Sequence, residues 1–76
     1  MEKFYDDALL TSMAAAFRIL REKKGVSQEV VYFETEINIG RIERALFNLK
    51  IGTISQLCKY YEIKLSDFFK LVEKQK

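Results

Sequence analysis

Leu10, Met13, Ala14, Phe17, Leu20 and Arg21 recur at the spacing of a single helical face, and the run closes on Lys23, Lys24 and Gly25. Apolar residues at that period commit a segment to an amphipathic helix, which must find a partner to cover its apolar side. The basic pair suits the negative end of the helix dipole, and glycine supplies the left-handed residue on which many helices stop. The pattern predicts a helix from about Leu9 to Lys24, with residues 1–8 as an N-terminal extension.

Packing has to hold this chain together. Among 76 residues Cys58 is the lone cysteine and histidine is absent, so neither an intrachain disulfide nor a Cys/His zinc site is on offer, and no cofactor is expected. The 49% hydrophobic and 32% charged fractions are those of an ordinary globular protein. A chain of this size has room for one domain, residues 1–76, and a free cysteine fits a reducing cytoplasm. Ala8 to Phe17 carries no charge, but residues 1–17 hold one Lys against three acids, the wrong flank for a signal peptide. The run is also too short to span a bilayer, so no membrane partner is expected.

With no proline and few glycines, the remaining helices are marked by caps and periodicity. Ser27 opens a second segment that ends near Glu34, and Asn38 caps a third, Ile39 to Leu46. Thr53 opens a fourth that runs to about Glu62 and buries Ile54, Leu57, Cys58 and Tyr61. Ser66-Asp67 opens a fifth carrying Phe68, Phe69, Leu71 and Val72, and residues 73–76 are expected to fray. Val30-Val31-Tyr32-Phe33 would also suit a strand, as would Ile37 to Ile39. A lone strand would leave its ladder groups unpaired, and no other segment alternates strongly enough to pair with it. The expected fold is therefore all-α, five helices in one compact domain.

A longer helix followed by two short ones across a tight turn is the layout of a helix-turn-helix reader. The stretch Arg18-Ile19-Leu20-Arg21-Glu22-Lys23-Lys24-Gly25-Val26-Ser27-Gln28-Glu29 resembles the opening of the Xre/Cro, or phage-repressor, helix-turn-helix family. Arg41-Ile42-Glu43-Arg44 is similar to the family's recognition-helix end. Asn48, Ile51, Thr53, Ile54, Leu57, Tyr61, Ile63 and Leu65-Ser66-Asp67-Phe68-Phe69 track its last two helices, so the resemblance covers roughly residues 14–70. Three departures stand out. The span from Ser27 to Glu43 is shorter than the commonest family spacing, Glu36 and Ala45 stand where the family usually has glycine, and Leu46-Phe47 occupies a loop that is often basic.

The resemblance implies sequence-specific binding of double-stranded DNA by a transcriptional regulator, of repressor type, with no enzymatic activity. The absence of any nucleophile-base motif or phosphate-cradling glycine loop agrees with that. Gln28, at the start of the second helix, is placed to reach a phosphate or a base edge, while Ser27 serves as its cap. Asn38 reads equally well as a cap and as a contact at the entry of the reading helix. Arg41 and Arg44 share the face away from Ile39 and Ile42, and arginine is the side chain best shaped for bidentate guanine or phosphate contacts. Lys50 is a phosphate candidate, and Gly40 would permit close approach of backbone to DNA or merely weaken the helix.

Matching family positions also imply an ion pair between Arg21 and Glu43. Arg21 continues the inward stripe after Phe17, so its charge needs a partner. The net charge is only +2, with seven basic and five acidic residues between positions 18 and 50, so any DNA-binding face must segregate them. Surplus aromatics, drawn from Phe4, Tyr5, Tyr60, Phe68 and Phe69, point to a homodimer. The alternative function is a protein-interaction module, such as an antitoxin or recombination accessory factor, using the Leu46-Phe47 edge and the acidic N-terminus to hold a protein partner.

Overall fold

The computed structural model describes residues 6–45 and 48–75. They form five helices, α1 (Asp7–Lys24), α2 (Gln28–Thr35), α3 (Ile39–Glu43), α4 (Ile51–Tyr60) and α5 (Leu65–Glu73), and no strand occurs among them. Val30 to Phe33 is helical, so the β-branched pair there yields to the helix around it.

The α1 helix is the spine, packing against both α3 and α5. Its inward stripe buries Leu10, Met13, Ala14, Phe17 and Leu20, and Ala16 is fully enclosed beside them. The Phe17 ring stacks at 4.5 Å on Phe68 of α5 and lies 6.4 Å from Tyr61 at the end of α4. Val31, Ile39, Ile42, Ile54, Leu57, Cys58 and Val72 complete the core. Burying a ring such as that of Phe17 contributes about 3 kcal/mol, so a few residues of this kind carry much of the stability of so small a fold. Burial pushes the Cys58 thiol up, which makes it an inert core filler.

Several boundaries differ from those predicted. Asp6 caps α1 by accepting a 2.9 Å hydrogen bond from the Leu9 amide, so the helix takes in Asp7 and Ala8 of the presumed extension. Residues 1–5 lie outside the described residues, as do Leu46, Phe47 and Lys76. The α3 helix stops at Glu43 rather than at Leu46. The α4 helix starts at Ile51, and α5 at Leu65, from Lys50 and Lys64 in extended conformation with no side-chain cap bond. Thr53, Ser66 and Asp67 thus sit inside first turns, two or three residues after the true caps Lys50 and Lys64. After Glu73, the Lys74 and Gln75 amides still donate to carbonyls of α5, and the Gln75 side chain donates to the Leu71 carbonyl. Phe68 belongs to the core and is unavailable to a dimer interface, and Tyr60 is half-buried, donating to Glu34 at 2.5 Å beneath the Lys24 ammonium.

The helix ends explain how the connections stay short. Gly25, at φ 78°, closes α1 with its amide on the carbonyls of Arg21 and Glu22. Glu36 (φ 63°), Ala45 (φ 56°) and Glu62 (φ 58°) adopt the same left-handed form without being glycine. Two of these are the positions where the related pattern has glycine, so the backbone shape is kept while the favoured residue is absent. A side chain in that region costs roughly 1–2 kcal/mol. Replacing Glu36 by Gly is expected to raise stability by up to about 1 kcal/mol, part of the relief being offset by the freer unfolded chain. Gly25→Ala is expected to lower it by about 1 kcal/mol, since it adds a Cβ at positive φ. Urea unfolding of both variants checks the pair, and midpoints moving in the same direction would contradict the account.

Candidate nucleic-acid interface

Glu43, the last residue of α3, is buried, with a side chain only 1% exposed. A carboxylate so placed needs compensation, and three side chains supply it. Arg21 of α1 donates through Nε to Oε2 at 2.7 Å and through Nη2 to Oε1 at 3.1 Å, a two-pronged pair. Gln28 of α2 donates from Nε2 to Oε1 at 3.0 Å. Arg18, one turn before Arg21, places Nε 3.5 Å from Oε1. The remaining Arg21 nitrogen, Nη1, donates to the Val26 carbonyl at 3.0 Å, tying the α1–α2 turn to the same cluster. Only the planar fork of arginine could serve the carboxylate and this carbonyl at once.

Burial alone would push the Glu43 carboxyl up. Hydrogen bonds from Arg21 and Gln28, with the Arg21 charge, outweigh it and hold the group below the usual carboxylate range. The cluster therefore locks α1, α2 and α3 together through charge and hydrogen bonds as well as through Val31, Ile39 and Ile42 beneath it.

The lock sets up a shallow groove of about 300 Å³ between the starts of α2 and α3, lined by Gln28, Glu29, Tyr32, Asn38 and Gly40. Ser27 caps α2 by accepting from the Val30 amide, and Asn38 caps α3 by accepting from the Arg41 amide at 3.2 Å. With its carbonyl engaged at the cap, the Asn38 amide offers its NH2 as a donor. Gly40 is what lets the two amides lie together. A Cβ there would stand 3.1 Å from Gln28 Oε1 and 3.3 Å from Asn38 Oδ1, closer than such contacts normally come. Its role is thus to admit the Gln28 side chain, which the sequence did not disclose.

Of the predicted residues, Gln28, Asn38 and Gly40 come together in this groove. Arg41 and Arg44 are exposed on and just after α3, and Lys50 is exposed at the entry of α4. Sequence reasoning missed three participants. Arg18 joins Glu43 because a residue three before Arg21 shares its helix face, a signal that was available. Glu29 and Tyr32 line the groove only because α2 meets α3 at this angle. The Leu46-Phe47 edge lies outside the described residues. Among the described residues no group of acids, cysteines or histidines is placed to hold a metal, and no helix is long and apolar enough to cross a membrane.

No family model matches the chain, and no curated protein does. Two solved structures of the restriction-modification controller protein C.Esp1396I are similar to it along nearly the whole length. One, a mutant of that protein, has a TM-score of 0.78 at 28% identity, covering 99% of this chain and 94% of its own. The other, a tetramer in complex with its natural 35 base-pair operator, has a TM-score of 0.77 at 27% identity, covering 97% and 96%. The fold is therefore the compact all-helical helix-turn-helix fold of a controller protein.

Removing the Glu43 charge tests the lock. Glu43→Gln is expected to cost about 3 kcal/mol at neutral pH by leaving Arg21 half-buried without its counter-charge. Because the folded carboxyl titrates below its unfolded value, its contribution is complete above about pH 5 and is lost as pH falls through the lower folded value. The variant should therefore show a flatter acid limb in a stability-against-pH series than the wild type. Parallel acid limbs would remove Glu43 from the account.

Proposed function

We propose that this chain is a sequence-specific double-stranded-DNA-binding transcriptional regulator of the Xre/Cro-like helix-turn-helix type, acting in the cytoplasm as one domain and as a homo-oligomer. The observation that carries the reading is the Glu43 cluster. It fixes two short helices at one angle so that Gln28 and Asn38 share a groove, with Arg41 and Arg44 following on the exposed side. The near full-length similarity to a controller protein solved on its operator supports it. In this reading α3 enters the major groove, α2 braces it against the backbone through Gln28, and the protein has no enzymatic role.

The dimensions limit how much one subunit can read. Five helical residues rise about 7.5 Å, roughly two base-pair steps, so α3 by itself distinguishes few bases. Specificity then requires at least two subunits on a near-palindrome, with half-sites about one helical turn apart. Glu29 disfavours phosphate on its own side of the groove, so Gln28 meets the backbone as a neutral amide donor and the cations that meet DNA are Arg41, Arg44 and Lys50.

Selection of bound fragments from the source genome, followed by titration of two variants, tests this. Arg41→Ala is expected to weaken the selected site by about 1–3 kcal/mol and relax preference at one position, the signature of a base contact. Lys50→Ala is expected to weaken selected and scrambled duplexes alike and to lower the salt slope by about one unit, the signature of a phosphate contact. Both side chains are exposed, so both variants should stay folded. Failure to enrich any motif, with unchanged affinity in both variants, would overturn the reading.

A further inference from the structure

The outer face of α2 is not accounted for by DNA binding. Val31 is fully buried and fixes the rotation of the helix, which turns Phe33 outward to 86% exposure, with Val30 39% exposed beside it. Glu29 lies one turn before Phe33, and Glu36 follows just after the helix. No lysine or arginine occurs between Ser27 and Gly40, so the ring stands among carboxylates that a phosphate backbone would repel. A large exposed aromatic in such surroundings marks a protein contact.

A surface of opposite character lies between α1 and α5. It is a shallow groove of about 340 Å³ with Ile19, Ile63 and Leu71 along its floor. Lys23, Lys70 and Lys74 rim it against a single acid, Asp67. The apolar floor suits an aromatic ring, and the surplus of lysines suits the flanking carboxylates. The two surfaces share no residue, so one molecule can offer both at once.

We propose that Phe33 of one copy docks into the α1–α5 groove of a second copy, with Glu29 and Glu36 facing Lys70 and Lys74. The contact is head to tail, so it propagates from copy to copy and adds to any two-fold dimer. A single ring in a shallow groove makes a small interface, so the association is weak in free solution. It does not depend on DNA, and its test leaves DNA out.

The test is sedimentation of the full chain at low salt over a concentration series up to about the millimolar range expected for so small an interface. Wild type should grow in mass with concentration. Phe33→Ala, and the double variant Lys70→Glu with Lys74→Glu, should each weaken that growth at least about tenfold while keeping wild-type helicity. Mixing the two variants should restore one-to-one association, because one retains an intact groove and the other an intact ring. A wild-type mass that stays constant would overturn the proposal and leave the α2 face to a different protein. A mixture no stronger than either variant alone would overturn it as well, since one intact ring and one intact groove must restore a ring-in-groove contact.

Discussion

The Glu43 carboxylate is the constraint on which the arrangement of the first three helices rests. It is drawn into the protein at the one point where α1, α2 and α3 converge, and each helix sends it a donor or holds it. Hydrophobic contact between Val31, Ile39 and Ile42 would press α2 and α3 together, but apolar packing is tolerant of small rotations. Paired hydrogen bonds from a planar guanidinium are directional. The cluster therefore converts a loosely specified contact into one with a defined angle, which is what two helices that jointly face a ligand require.

That geometry reaches the surface through Gln28. One end of its amide is bound to Glu43 and the other lies over Gly40, so the side chain of an exposed helix start is held by a buried charge. Asn38 is held from the other side by its capping bond. Under the proposed function, neither amide has to be ordered when DNA arrives, so less rotamer entropy is lost on binding. This compensates in part for an α3 of only five residues, since a short reading helix offers few contacts and must offer them already in place.

What could be read from the sequence follows how local the determinant was. The α1 stripe and its Gly25 stop, the Ser27 and Asn38 caps, and the core positions of α4 depend on residues a turn apart, and periodicity exposes them. The starts of α4 and α5 escaped because Lys50 and Lys64 cap with backbone alone, leaving no side-chain signal. The extent of α3 escaped because Ala45 turns left-handed, a conformation that alanine does not advertise. At the site, Arg41 and Arg44 were visible as exposed cations, whereas the reason for Gly40 was not. It depends on a side chain twelve positions away being laid across it.

The distribution of acids joins these observations into one physical picture. Of the five between Arg18 and Lys50, Glu43 is neutralised inside the protein and Glu34 accepts from Tyr60 at the α4 side. Glu22 lies on the exposed side of α1, Glu36 follows the end of α2, and Glu29 stands at the groove edge one turn before Phe33. The cations of α3 and its exit, Arg41 and Arg44, are themselves exposed. A chain of nearly balanced charge can in this way present a positive reading helix beside an acidic, aromatic flank. Segregation of this kind does for a small, weakly basic domain what a high net charge does for more basic DNA-binding proteins. It directs the attraction at one face and leaves the opposite charge free to meet protein.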